Sequence, residues 1–373
     1  MIAPALADLA EIGSNDLPLA GWTDWLLTLF GAGLDDAALQ AMRIVVDRFV
    51  MPEPDAVDSL RQSAAPFVSG QLWDDPRSYF SFVDAPAERR SPRSVMSRYG
   101  GTRKRGVVAT QRFETGYKPY DAADSSSADE LCFEHWTHEL DPPRATVVAL
   151  HGFSMGYPRI DAFAMFAAAI FEAGYDVALV TLPFHGARTP ADARFSGERF
   201  AVPHVAQLNE AVRQAIFEID MLITWLHQHS GAPVGLLGLS LGGYLSALMA
   251  GLRDDLAFVV PMVPPVCMGD LAWRFFTRSR VQRDAGAAVF SRDELRSAFR
   301  VHSPLTYECR VAAERLFILA GRGDRIVPPD HPHQLWKHWG KSKIHWFAGS
   351  HLAPFRRSAL QAAILEHFDA CVD

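Results

Sequence analysis

The sequence predicts an α/β fold with a mostly parallel central sheet flanked by helices. From residue 145 onward, short apolar runs alternate with stretches of helical periodicity, which is typical of βαβ crossovers. Each run is short and mostly apolar, as expected of strands covered on both faces of a sheet. In the stretch 234–243, an apolar run passes through a glycine-rich turn directly into a helical pattern. We expect one large α/β domain organised around this turn.

The first 105 residues predict a helical extension and linker in front of a domain spanning 106–373. The extension shows no strand alternation. Its apolar residues recur at helical spacing: Trp22, Leu26, Leu29, Phe30, then Leu39, Met42, Val46 and Phe49. Prolines between positions 52 and 92 are expected to break it into short pieces. The extension either packs on the core, or forms a wall of a substrate pocket or a contact between identical subunits.

Strands are predicted along the whole of the domain. Entry strands begin near 106–109 and 131–136, and the runs 145–150, 176–182, 234–239, 257–262, 315–320 and 343–347 follow. Helices are predicted around 163–173, 208–227 and 358–368. Because the later strands alternate with helices, right-handed crossovers are expected to make them parallel.

Composition favours an enzyme with a small-molecule substrate. The formal net charge of -7 argues against nucleic-acid or anionic-membrane partners. The four cysteines are far apart and predict neither a disulfide framework nor a zinc site. Residues 1–16 lack the basic start of a signal peptide, and no apolar run is long enough to span a bilayer. We expect a cytoplasmic protein without a membrane span.

The turn at 238–242 reads Gly238-Leu239-Ser240-Leu241-Gly242. A serine between strand and helix has its hydroxyl lifted above the sheet, and a Cβ at either glycine is expected to collide with the neighbouring strand and helix. Over about residues 106–373 the chain resembles the α/β-hydrolase superfamily. That resemblance implies the α/β-hydrolase fold, with a helical lid at 264–309 and Ser240 as nucleophile of an esterase.

A serine nucleophile needs a histidine base and a carboxylate that orients it. The resemblance implies the chain order serine, acid, histidine, each after its own strand. Asp324 follows the run 315–320, and His351 follows the run 343–347. We therefore expect Asp324 as acid and His351 as base. Asp330 and Asp270 are the competing acids.

The same pattern occurs a second time, at Gly152-Phe153-Ser154-Met155-Gly156. Ser240 enters a helical pattern at once, whereas Tyr157-Pro158 delays the helix after Ser154 and favours a loop. The preceding His151-Gly152-Phe153 resembles the oxyanion motif of the superfamily. The backbone N–H groups of Phe153 and Leu241 are therefore the expected oxyanion hole.

Further side chains are expected near the pocket. The candidates are His151, Ser154, His185, Arg188, Trp273 and Phe276. For the loop at 182–190 we favour a tight turn beneath the site, with contact between His185 or Arg188 and a polar substrate group as the alternative. The histidines at 331, 333 and 338 favour a surface helix start over a metal site. No cofactor or metal is implied.

The sequence thus predicts a serine hydrolase that cleaves a carboxylic ester through an acyl-enzyme. An acyltransferase, or an amidase or peptidase, would use the same three residues. From another class, a non-catalytic ligand-binding protein could retain the fold. The helical extension is the candidate surface for a homo-oligomer.

Overall fold

A computed structural model describes residues 21–49, 57–68, 71–80, 95–97, 106–120, 130–201, 205–276 and 290–373. Within these ranges, nine strands form one mixed sheet. The strands are β1 Val95–Ser97, β2 Gly106–Glu114, β3 Glu130–His138, β4 Thr146–Leu150, β5 Asp176–Thr181, β6 Val234–Leu239, β7 Val259–Met262, β8 Phe317–Gly321 and β9 Lys343–Phe347.

The strand order is β1-β2-β3-β5-β4-β6-β7-β8-β9. The pairs β1–β2, β2–β3 and β3–β5 are antiparallel. The pairs β5–β4, β4–β6, β6–β7, β7–β8 and β8–β9 are parallel. At the centre, Leu150 of β4 is in register with Gly238 of β6. Because β4, β6, β8 and β9 run in the same direction, the segments that follow them meet at one edge of the sheet.

Helices precede, connect and follow the strands. They are α1 Trp22–Phe49, α2 Val57–Val68, α3 Gln71–Asp74, α4 Pro158–Ala164, α5 Ala167–Glu172, α6 Glu198–Ala201, α7 Val205–Ser230, α8 Leu241–Leu252, α9 Met268–Phe276, α10 Arg292–Ala298, α11 Asp330–His338 and α12 Arg357–Val372. Short 3-10 turns lie at Pro76–Phe80, Gly186–Arg188, Arg300–His302, Pro304–Thr306 and Ala313–Arg315.

The core lies on both faces of the sheet, because alternate strand residues point in opposite directions. On one face, Val148 of β4 packs in a cluster with apolar residues of α7 and α8. On the other, Val147 and Ala149 pack with α5 and α12. Both faces of the central strands are therefore covered, as their uninterrupted apolar runs predict.

The α/β-hydrolase fold class is confirmed, and the structure differs from the sequence expectation in four local respects. The helix predicted around 163–173 is two helices, α4 and α5, separated at Phe166, whose φ is 57°. A strand does occur in the first 105 residues: β1 has three residues, too few to show alternation. Pro66 lies near the end of α2 without ending it. The chain before β8 makes a 3-10 turn, so β8 begins at Phe317. No helix among the described residues is both long and apolar enough to cross a membrane.

Candidate active site

The turn between β6 and α8 holds Ser240 in an unusual backbone conformation. Its φ is 52° and its ψ is -108°, a region that residues with a side chain seldom adopt. A Cβ on Gly238 would lie 2.1 Å from the Gly242 carbonyl oxygen, and one on Gly242 would lie 1.9 Å from the Leu150 oxygen. The collisions expected at both glycines are thus confirmed. The tight path leaves Ser240 only half-buried at the edge of the sheet.

A continuous chain of hydrogen bonds joins Ser240, His351 and Asp324. The Ser240 Oγ lies 2.9 Å from Nε2 of His351, and Nδ1 of the same ring lies 2.7 Å from Oδ2 of Asp324. The other oxygen of Asp324 accepts bonds from the backbone N–H groups of Ile326 and Val327, at 3.0 and 2.7 Å. These three side chains follow β6, β9 and β8 respectively, so the parallel sheet brings them together.

Burial and charge act in opposite directions on this histidine. Burial lowers the pKa of His351, but the charge and hydrogen bond of Asp324 and the charge of Asp35 outweigh it, so the pKa lies above its ordinary value. Burial raises the pKa of Asp324, while His351 and the Val327 N–H act against that rise. With three hydrogen-bond donors around it, the Asp324 carboxylate can stabilise an imidazolium ion.

The competing acids lie elsewhere. Asp330 is the exposed first residue of α11. Asp270 accepts bonds from the Nε atoms of Arg292 and Arg296, each at 2.7 Å. Burial raises the pKa of Asp270, but these two arginines outweigh it and lower the pKa to about 2. Asp270 therefore joins α9 to α10 and has no bond to His351.

The second serine turn lies beside the first. Ser154 is exposed with a φ of 62°, and a Cβ on Gly152 would lie 3.5 Å from the Cβ of Ser240. The Gly242 N–H donates to the His151 carbonyl at 3.0 Å and so joins the two turns. Within the part of the chain that the structure describes, the N–H groups of Phe153 and Leu241 have no hydrogen-bond acceptor.

His151 is an internal support of this loop. It is fully buried. Its Nδ1–H donates to the Gly152 carbonyl at 2.8 Å, and its Nε2 accepts the Leu182 N–H at 3.1 Å. Burial lowers the pKa of His151 to about 3, so the ring is neutral at neutral pH. The structure therefore differs from the expectation that His151 lines the substrate pocket.

His185 and Arg188 are also buried rather than turned towards a substrate. Arg188 forms two bonds to the carboxylate of Glu218, at 2.6 and 2.7 Å, and a third to the Thr181 carbonyl at 3.0 Å. His185 packs edge-on against Phe153, and burial lowers its pKa to about 4. The alternative of contact with a polar substrate group is not met, and the structure agrees with the favoured tight turn beneath the site.

The region 264–309 contains α9 and α10, and residues 277–289 lie outside the described part. Trp273 is half-buried and packs against the core cluster that contains Phe299. Arg274 donates to the Arg325 carbonyl at 3.3 Å, so α9 contacts the loop of Asp324. Phe276 is the last residue of α9, and its side chain lies outside the described residues.

The histidines near 331 lie in the first turn of α11, which begins at the exposed Asp330, but the first two histidines are not on the surface as expected. His331 and His333 are buried, and His331 Nδ1 accepts the Val266 N–H at 3.2 Å. His338 Nε2 lies 2.8 Å from the Tyr307 carbonyl. Over the described ranges, no group of three or more His, Cys, Asp or Glu side chains could hold a metal ion.

One residue at the site, Asp35 of α1, was not predicted from the sequence. Its side chain is fully buried and contacts the segments of Asp324 and His351. The exposed Asp36 follows it, and nothing in the local sequence distinguishes the two aspartates. The contacts join residues about 300 positions apart, which no local pattern reports.

Sequence comparisons match part of the chain to known proteins. A family profile described as "Alpha/beta hydrolase domain containing 18" matches residues 157–269. Two uncharacterized proteins of Mycobacterium tuberculosis, from strains CDC 1551 / Oshkosh and H37Rv, are each 34% identical over 233 residues, which is 60% of this chain. The match covers 54% of each relative, so the chain spans about half the length of the curated relatives it matches.

Solved structures share the fold at low identity. The acetyl xylan esterase from Paenibacillus sp. R4 has a TM-score of 0.57 at 13% identity, covering 85% of this chain and 99% of that one. Acetyl xylan esterase 1 from Thermoanaerobacterium sp. JW/SL YS485 has a TM-score of 0.52 at 15% identity, covering 88% and 98%. The sheet order and these structures show that the chain has the α/β-hydrolase fold, and residues 157–269 are similar to the α/β-hydrolase family profile.

Proposed function

We propose that the protein is a serine hydrolase that cleaves a carboxylic ester of a small molecule through an acyl-enzyme. The observation that carries this proposal is the unbroken chain of hydrogen bonds from Ser240 through His351 to Asp324, at 2.9 and 2.7 Å. Both distances are within the reach required for proton transfer and for orientation of the base. Ser240 is half-buried, so it is not enclosed in the core.

In the first half of the reaction, Ser240 Oγ attacks the ester carbonyl carbon while its proton moves to Nε2 of His351. Asp324 holds the opposite nitrogen and stabilises the positive ring. The C–O bond to the alcohol then breaks, and His351 returns the proton to the departing oxygen. The acyl group remains on Ser240. The raised pKa of His351 supports this role, because a stronger base accepts the serine proton more readily.

The negative oxygen formed during attack needs fixed donors. We assign this role to the backbone N–H groups of Phe153 and Leu241, and two observations support it. Neither group has an acceptor within the described ranges, and the bond from Gly242 to His151 holds their segments together. Backbone N–H groups without an acceptor beside a nucleophile are suited to a developing negative charge.

In the second half, water attacks the acyl carbon. His351 removes a proton from the water, the bond from carbon to Ser240 Oγ breaks, and the serine regains its proton. The products are a carboxylic acid and the free enzyme. We also propose that residues 264–309 act as a lid, since α9 from this region contacts the Asp324 loop.

The proposal is tested with p-nitrophenyl esters of increasing acyl length, using wild type, His351→Ala and His345→Ala. His345 lies on the exposed side of β9 and is a matched control. We expect His351→Ala to lower kcat by about 10⁴-fold or more, because the serine loses its base. His345→Ala should stay within a few-fold of wild type. Equal activity of wild type and His351→Ala, or no turnover of any ester, would contradict the proposal.

A further inference from the structure

We propose that Asp35, on helix α1 of the N-terminal region, is a positioning residue that holds the His351 loop against the Asp324 loop. Helix α1 would then help to position the catalytic side chains, in addition to packing on the core. This inference rests on the proposed hydrolase function.

The Asp35 carboxylate is fully buried and accepts four hydrogen bonds. Oδ1 accepts from Ser350 Oγ at 2.9 Å and from Leu352 N–H at 3.1 Å. Oδ2 accepts from His351 N–H at 2.9 Å and from Arg325 N–H at 3.0 Å. An ionised carboxylate has about four acceptor positions, so this set occupies all of them. Such bonds to a charged acceptor are roughly twice as strong as neutral ones.

The donors define what Asp35 does. One is the backbone N–H of His351 itself, and another is the N–H of the residue directly after Asp324. The same oxygen accepts both bonds, so it fixes the two backbones relative to one another. The bond of 2.7 Å between His351 and Asp324 depends on that relative position.

The face of α1 that carries Asp35 packs tightly on both loops. A Cβ on Gly31 would lie 3.0 Å from Ser350, and a Cβ on Gly323 would lie 2.6 Å from the Thr28 carbonyl. Positions 28, 31 and 35 follow the spacing of one helix face. At one end of α1, Asp24 pairs with Arg356 at 2.6 Å. The helix therefore contacts the site over several turns.

The charge of Asp35 also acts on the base. Asp324, from the loop after β8, and Asp35, from α1, are the two charged groups that raise the pKa of His351. A negative charge stabilises the imidazolium form. Removal of that charge should let His351 lose its proton at a lower pH. This gives a readout that a purely structural role would not produce.

The test compares Asp35→Asn and Asp35→Ala with Asp36→Asn, which removes the same charge from the exposed neighbouring position. We expect Asp35→Ala to lower kcat by about 100-fold, because small misplacements of reacting groups have effects of this size. In Asp35→Asn, the fall of kcat/KM on the acid side of its pH profile, the acid limb, should occur at a lower pH than in wild type. Asp36→Asn should show neither change.

Ser350→Ala keeps the proposal testable if Asp35→Ala fails to fold. It removes one of the four bonds and leaves the charge, so kcat should fall by less and the acid limb should stay in place. Wild-type kcat and an unmoved acid limb in Asp35→Asn would overturn the role of Asp35 while leaving the hydrolase proposal intact. Absence of ester turnover in wild type would instead overturn the hydrolase proposal, and the role of Asp35 with it.

Discussion

Two turns in this molecule carry the same Gly-x-Ser-x-Gly pattern, yet among the described residues only the serine of one turn, Ser240, is hydrogen-bonded to a histidine side chain. Ser154 and Ser240 both have a positive φ, of 62° and 52°. Ser240 lies between β6 and α8, with its Oγ 2.9 Å from His351. Ser154 is exposed in a loop that continues to Gly156 before α4 begins. The pattern therefore specifies a turn, and the strands that follow it along the sheet determine which serine gains a base.

The glycines of the two turns also differ in how closely they are packed. An added Cβ at Gly238 or Gly242 would meet backbone carbonyls at 2.1 and 1.9 Å. At Gly152 it would meet the flexible Met155 side chain, with Sδ at 3.2 Å. A Cβ on Gly156, the second glycine of the turn of Ser154, would lie 2.8 Å from the Gly186 nitrogen, so the contrast in packing applies to the first glycines, Gly238 and Gly152. The following predictions test this contrast, from the largest expected effect to the smallest.

The two serines should differ most in turnover. Ser240→Ala should lower kcat for p-nitrophenyl esters by about 10⁴-fold or more, because the nucleophile is lost. Ser154→Ala should remain within a few-fold of wild type, since its hydroxyl has no bond to His351. Steady-state kinetics on both variants measures this difference. The contrast between the turns would fail if Ser154→Ala lost as much activity as Ser240→Ala.

The acid should act only through His351, the histidine that is hydrogen-bonded to Ser240. Asp324→Asn should lower kcat by about 10³- to 10⁴-fold, because the amide no longer stabilises the His351 imidazolium. Asp270→Asn is the matched control, since Asp270 is bonded to Arg292 and Arg296 instead. Asp270→Asn should lower the free energy of unfolding and have little effect on kcat. Comparable losses of kcat in both variants would argue against the assignment of Asp324.

Alanine at Gly238 and alanine at Gly152, the first glycine of each turn, should differ in their effect on the free energy of unfolding. Gly238→Ala should lower the free energy of unfolding by about 3 kcal/mol or more, because the clash is with backbone. Gly152→Ala should cost less than about 1 kcal/mol, because Met155 can rotate away. Urea denaturation gives both values. A similar cost at both positions would remove the packing difference between the turns.

The pH profile distinguishes His351, which is hydrogen-bonded to Ser240, from the histidines beside the turn of Ser154. His351 must be neutral to accept the serine proton, so kcat/KM should fall as pH drops through its pKa. Because that pKa is raised, the midpoint should lie above about 6.5. Burial lowers the pKa of His151 and His185 to about 3 and 4. A midpoint near those values would instead point to His151 or His185 as the base.

Much of the fold could be predicted from the sequence because its signals are local. Apolar runs and glycine turns lie within a few residues of the elements they specify. The meeting of Ser240, Asp324 and His351 could be expected as well, since each follows a strand of one parallel sheet. Their catalytic roles are what we propose from that meeting.

Other features could not be predicted because they depend on distant contacts. The hydrogen-bond partners of Asp35 are residues 325 and 350–352, which lie far from it along the chain. The sequence left open a contact between Arg188 and a polar substrate group. In the structure Arg188 is bonded to Glu218, a buried residue of α7. His331 and His333 have polar side chains, which favours an exposed position, but both are buried in the folded chain. In each case, the partner is supplied by the fold.

The central claim is that Ser240, and not Ser154, is the nucleophile. The most direct measurement is to treat the wild-type protein with a fluorophosphonate, digest it and locate the adduct by mass spectrometry. We predict phosphonylation on Ser240 and none on Ser154, because only Ser240 Oγ is hydrogen-bonded to His351. An adduct on Ser154, or no adduct on any serine, would contradict the account.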